Sequence, residues 1–136
     1  DGVTSTGNVH AKNSLIIAAD QAPVEIGGNV TVDYTVSADY PPTSKNLEAL
    51  HIYNTGKNVN AGDDSSVHIG GNINVNVTID QSIAGNYDIT AVLLGANITT
   101  SDKSSKVTVD GNIITNGTVV VEEDELINYC KIRSCR

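Results

Sequence analysis

The chain has 136 residues, with sixteen Asp and Glu against eight Lys and Arg and a formal charge of −8. That length suits one domain able to bury a core without a dense disulfide framework, and the acidic balance excludes a nucleic-acid binder working through a basic stripe and a segment held on anionic membrane. Phe, Trp and Met do not occur, so the core must come from Val, Ile, Leu and Ala with five Tyr, a composition suited to stacked β-branched rows.

From the N-terminus, Asp1-Gly2-Val3 shows neither a basic leader nor an apolar one. No window approaches the roughly 18 consecutive apolar residues of a spanning helix, so no membrane insertion by this segment is expected. A seven-residue phrase then occurs four times, as VTSTGNV at 3–9, VEIGGNV at 24–30, VHIGGNI at 67–73 and VTVDGNI at 107–113. Its starts lie 21, 43 and 40 residues apart (3 to 24, 24 to 67, 67 to 107). Repetition at such spacing indicates a solenoid before any local reading. Rungs are expected to begin near 3, 24, 67 and 107 within a repeat domain over 1–121, with 122–136 as a C-terminal capping segment or tail.

The last three phrases each carry a marked corner: Gly27-Gly28-Asn29, Gly70-Gly71-Asn72 and Asp110-Gly111-Asn112, residues that tolerate positive φ. After the corner, 30–36 (VTVDYTV) and 73–79 (INVNVTI) alternate strictly, which predicts half-buried strands with Val and Ile inward and Asn, Thr and Asp outward. A third apolar piece follows at 14–18, 47–53, 89–94 and 125–129. Polar inserts at 37–46, 54–66, 80–88 and 99–106 read as surface loops, stiffest at Pro41-Pro42. In the tail, acids at 122–125 precede Lys131, Arg133 and Arg136, a pattern that suits a short helix or a last strand with a frayed end.

Three strands per turn with a tight Gly-Asn corner is the layout of an all-β, parallel β-helix with inserted loops. A β-sandwich is the alternative, since short strands with frequent turns are also its signature. The reiterated phrase favours the helix, because sandwich strands have no reason to repeat one another. Each unit of about 40 residues divides equally well into one long coil or two coils of about 20.

Little of the chemistry points to catalysis. Asp33, Asp39, Asp63, Asp64, Asp80, Asp88 and Asp110 supply carboxylates, mostly in corners and inserts where Asp serves turn geometry. His10, His51 and His68 are scattered, the last two at outward strand positions. No nucleophile elbow, P-loop or dinucleotide fingerprint occurs. A polysaccharide-cleaving enzyme would want Arg beside its carboxylates, yet Arg133 and Arg136 are the only arginines. No cofactor is expected. Structural calcium would need oxygen ligands such as Asp63 and Asp64, but the nonapeptide calcium repeat is not formed. Cys130 and Cys135 are close enough in sequence for a local disulfide in an oxidising compartment, or stand as two thiols.

The stretch 67–78 (VHIGGNINVNVT), with an Ala-containing apolar strand after it and a Thr/Ser/Lys-rich approach to VTVDGN, resembles the passenger domains of bacterial autotransporters and related large surface adhesins. The resemblance covers about residues 3–121. It implies a right-handed parallel β-helix displayed at the bacterial surface or released outside the cell, borne by a membrane barrel that this segment does not contain. The two terminal cysteines depart from the pattern. The expected function is therefore that of a non-enzymatic extracellular adhesin, a rigid solenoid presenting loops to a host-cell or matrix protein or glycan, and so a virulence factor. Asp39, Tyr40, Pro41, Pro42, Lys57, Asp63 and Asp64 are the expected contact residues, on corners set by Gly28, Asn29, Gly71, Asn72, Gly111 and Asn112. The alternatives are a self-associating subunit of a surface fibre or coat and a polysaccharide-cleaving enzyme.

Overall fold

The computed structural model describes residues 2–8, 11–20, 22–55, 66–97, 107–121 and 126–127. Its strands fall into four successive tiers of three. The first holds β1 (Val3–Asn8), β2 (Asn13–Asp20) and β3 (Val24–Ile26), and the second β4 (Val30–Val36), β5 (Asn46–Thr55) and β6 (Val67–Ile69). The third holds β7 (Ile73–Ile79), β8 (Asp88–Asn97) and β9 (Val107–Val109), and the fourth β10 (Ile113–Thr115), β11 (Val119–Val121) and β12 (Leu126–Ile127). Each strand pairs in parallel with the one three places on, giving three four-stranded sheets: β1-β4-β7-β10, β2-β5-β8-β11 and β3-β6-β9-β12. No α-helix occurs among the described residues; a single 3-10 turn spans Ala84–Asn86. This all-β, all-parallel pairing is compatible with a β-helix or a related solenoid. It does not fit a sandwich, whose sheets are antiparallel.

The register decides one division left open and corrects two expectations. Val30 pairs with Ile73 and Ile73 with Ile113, so one tier consumes a whole unit of about 40 residues and there are not two short coils per unit. Val3 pairs with Val30, not in phase with Val24. The phrase at 3–9 therefore lies mostly along β1, whereas the later three bridge β3 to β4, β6 to β7 and β9 to β10. Its Gly-Asn resembles a corner only in composition. The fourth member of the second sheet is Val119–Val121, and not the segment at 125–129, because only three residues, 116–118, separate β10 from β11 where the second and third tiers carry the long connections 37–45 and 80–87. Leu126 instead pairs with Val107 in the third sheet.

The alternating strands bury what their period demands. Val30, Val32, Tyr34 and Val36 are buried while Asp33 between them is exposed, because successive side chains of a strand point to opposite faces. Stacked columns such as Val30–Ile73–Ile113, Leu50–Val92–Val119 and Ile69–Val109 fill the interior, each such side chain contributing about 1.5–3 kcal/mol on full burial. Toward the first tier the interior becomes polar. Ser5 stands in register with Val32, and its hydroxyl lies 2.9 Å from that of Ser14. Tyr34, whose register partners are Gly7 and Val77, donates its phenol hydrogen to the Ala11 carbonyl at 2.8 Å. Burial pushes that phenol up to about 12.

Two local devices shape the tiers. In the second sheet the alternation breaks at Ala49-Leu50, both fully buried. The amides of Ala91 and Val92 both donate to the Thr118 carbonyl, at 2.9 and 3.2 Å, two residues facing one as in a β-bulge. Between the third and first sheets the corners stack directly. The Asn29 side-chain oxygen accepts the Asn72 amide at 2.8 Å, and the Asn72 side-chain oxygen accepts the Asn112 amide at 2.8 Å. Backbone bonds run alongside, from Gly71 N to Gly28 O and from Gly111 N to Gly71 O. Gly71 and Gly111 do not occupy the positive-φ region expected of corner glycines; they are required because a Cβ there would strike the backbone of the tier beneath.

Candidate functional site

Of the expected contact residues, Asp39, Tyr40 and Pro41 are exposed in the connection from β4 to β5, and Tyr40 is 66% exposed. Pro42 is buried, which corrects its assignment as a contact: its carbonyl accepts the Tyr87 hydroxyl at 2.7 Å from the connection one tier on. The two connections are joined further by Asp88 N to Lys45 O at 2.8 Å and by the Lys45 ammonium 5.5 Å from the Tyr87 ring centre. In the second connection Asp80 accepts the amide and hydroxyl of Ser82, which holds its carboxyl below the usual range. The loops are thus fastened to each other. Lys57, Asp63, Asp64, Cys130 and Cys135 lie outside the described residues, as does His10.

The outer face of the first sheet carries a second feature that the sequence did not single out. Thr31, Asp33, Asn74 and Asn76 point outward from β4 and β7, and with Ile114, Thr115 and Asn116 they line a cleft of about 230 Å³ over Val32 and Val75. Register makes the columns: Thr31 beside Asn74 beside Ile114, and Asp33 beside Asn76. Asn116 closes one end, its side-chain amide bonding both the N–H and the carbonyl of Val77 at 2.9 Å in place of a backbone partner. Among the described residues, Thr31, Asp33, Asn74 and Asn76 have no side-chain hydrogen bond. The alternation in VTVDYTV and INVNVTI was the available signal, but only pairing showed which polar residues are neighbours.

On the third sheet, His68 sits between two carboxylates drawn from adjacent tiers. Its Nδ1 is 2.8 Å from Glu25 Oε2 and its Nε2 2.7 Å from Asp110 Oδ2. The bonds to Asp110 and Glu25 raise its pKa by favouring the imidazolium. With both ring nitrogens engaged, His68 offers no lone pair to a substrate proton or a metal, so the trio works as a clasp across three tiers. Sequence reading treated His68 as an isolated surface histidine, since its partners are 43 and 42 positions away. Aligning the centres of VEI, VHI and VTV would have found the Glu25–His68 neighbours.

Among the described residues, the candidate carboxylates other than Asp110 do not converge. Asp33 lies on the first sheet, Asp39 and Asp80 in the connections, Asp88 at the start of β8 and Asp110 in the clasp. Among the described residues no group of three or more His, Cys, Asp and Glu could hold a metal, and no helix is long and apolar enough to cross a membrane. Inside the second sheet, Asn54 is fully buried, in register between Ala19 and Ala96, and neither its amide nitrogen nor its oxygen has a partner among the described residues. No protein-family model matches the chain, and comparison with curated proteins and with solved structures finds no significant match.

Proposed function

We propose that this chain is a right-handed parallel β-helix acting as a non-enzymatic adhesin of the bacterial surface or extracellular space. Pairing of each strand with the third strand on supports the helix, and the strong preference of parallel crossovers for the right hand gives its sense. The observation that carries the function is the fastening of connection 37–45 to connection 80–87 through Tyr87 and Pro42, beside a highly exposed Tyr40. A loop immobilised on stacked strands presents an aromatic with little ordering left to lose on binding, which is how rigid scaffolds carry recognition loops. Partners are a host-cell or matrix protein or glycan. Replacing Tyr40 by Ala and, separately, residues 38–44 by a short Gly-Ser turn should leave folding intact and reduce attachment to cultured cells and matrix-coated surfaces. Attachment unchanged by both variants would sink the assignment.

A second reading is a self-associating subunit, because Ile16, Ile114 and Val120, the large aliphatic residues exposed in the described structure, all lie on edge strands: β2, β10 and β11. Edge strands carry unpaired backbone groups that another copy can take up. Light scattering after size-exclusion chromatography over a wide concentration range separates the two: growth favours a building block, and a constant monomer favours the adhesin.

A further inference from the structure

The cleft on the first sheet has the chemistry of a polyol site. Asp33 supplies acceptors only, Thr31 both a donor and acceptors, and Asn74 and Asn76 a donor and an acceptor fixed in one plane. These groups match hydroxyls, which both give and receive hydrogen bonds. Their side chains are unspent within the described protein, although each is held on a paired strand. Strand pairing spaces the members of each column about 4.8 Å apart, so the polar groups recur at a regular interval along the stack, and outward Thr4 and Thr6 of β1 continue the two columns beside Thr31 and Asp33. Exposed Ile114 at the other end gives an apolar surface for the C–H face of a ring.

Charge narrows the ligand. Among the described residues no Lys, Arg or His lines the cleft and Asp33 there has no ion-pair partner, and the whole chain carries −8. An acidic polysaccharide would be repelled, and a cation would find a single carboxylate among the side chains. We infer that the outer face of the first sheet binds a neutral glycan laid across the strands, contacted by Thr31, Asp33, Asn74 and Asn76 with Ile114 against the sugar face. Tyr40 does not line this cleft, so glycan binding here and attachment through the loop platform can fail independently.

The test is affinity electrophoresis of the intact chain through gels containing dextran, mannan or a neutral galactan, and through gels containing polygalacturonate or heparin. At least one neutral polysaccharide should retard migration and neither anionic one should. Asn74→Ala combined with Asn76→Ala, on exposed or half-exposed positions, should weaken retardation about tenfold or more, the worth of one to two lost hydrogen bonds. Tyr40→Ala should leave it unchanged. Circular dichroism melts establish that each variant is folded, and Thr31→Val provides a second cleft variant that keeps β propensity. Migration unaffected by every neutral polysaccharide, retardation only by the anionic ones, or neutral retardation that survives both cleft variants would each overturn the inference.

Discussion

Replacing Gly71 by Ala should be among the most damaging one-carbon changes available to this chain. An ideal Cβ at Gly71 would lie 2.6 Å from both the carbonyl carbon and the oxygen of Gly28, and closer still to the Asn29 side-chain oxygen. Ordinary contact begins near 3.4 Å, so the tiers would have to part locally by roughly 0.8 Å. That movement stretches the Gly71 N to Gly28 O bond from 3.0 Å to roughly 3.8 Å, beyond hydrogen-bonding reach. It also displaces Asn29, whose side chain holds the Asn72 amide. Two lost bonds at about 1 kcal/mol each, with about 1–3 kcal/mol of overpacking strain, give a loss of about 3–5 kcal/mol. For a domain of this size that is a fall of roughly 10–20 °C in melting temperature. Gly85→Ala is the control, because a Cβ there meets nothing within 4 Å; it should be neutral or stabilise by up to about 1 kcal/mol through the unfolded chain. Removing the Asn29 side chain as well should not rescue Gly71→Ala, since the clash with the Gly28 backbone remains. Thermal and urea unfolding followed by circular dichroism measure all three. A Gly71→Ala midpoint equal to that of the parent would refute the direct stacking of the corners.

The clasp on the third sheet should make stability depend on pH. Because Asp110 and Glu25 raise the folded pKa of His68, its contribution is complete below about pH 6.5 and is lost as pH rises through the folded value. His68→Gln should flatten that part of the stability profile in urea titrations; an unaltered slope would show that the clasp carries no coupling. At the alkaline end, Tyr34 is pushed up from 10.0 to about 12, so stability should decline between those values as the unfolded phenol ionises first. Tyr34→Phe should abolish this decline in tyrosinate-monitored melts, and should cost about 1 kcal/mol at neutral pH from the lost bond to Ala11. Asn54→Leu should raise stability by about 1–2 kcal/mol by removing a buried amide that has no partner among the described residues; a lower melting temperature would show that the Asn54 amide is satisfied.

Alternation was readable directly in the sequence because it is local. VTVDYTV and INVNVTI each place apolar side chains on one face, and β4 and β7 bury Val30, Val32 and Val36, and Ile73 and Val75, accordingly. Repetition of VEIGGN, VHIGGN and VTVDGN likewise revealed stacked tiers and their corners. The same signal misled where composition imitated register: VTSTGNV has the letters of a corner, but its residues 3–8 run along β1, because pairing of Val3 with Val30 aligns them with the next strand. Similarly, the apolar segment at 125–129 was assigned to the wrong sheet, since nothing local announces that the fourth tier omits its insert.

What only the tertiary structure decided are the relations between tiers. His68 acquires Glu25 and Asp110 through a register set some 40 residues away in either direction, and Pro42 changes from a presented residue to an anchor because Tyr87 reaches it. Asn74 and Asn76 join Thr31 and Asp33 in one cleft only when β7 lies beside β4. The glycines show the division most plainly. Sequence places them at corners for their tolerance of φ, whereas in the folded chain Gly71 and Gly111 serve because another backbone passes where a Cβ would stand. Side-chain period is a property of one strand and is written in its residues; proximity between tiers is a property of pairing, and it exists only once the chain has stacked.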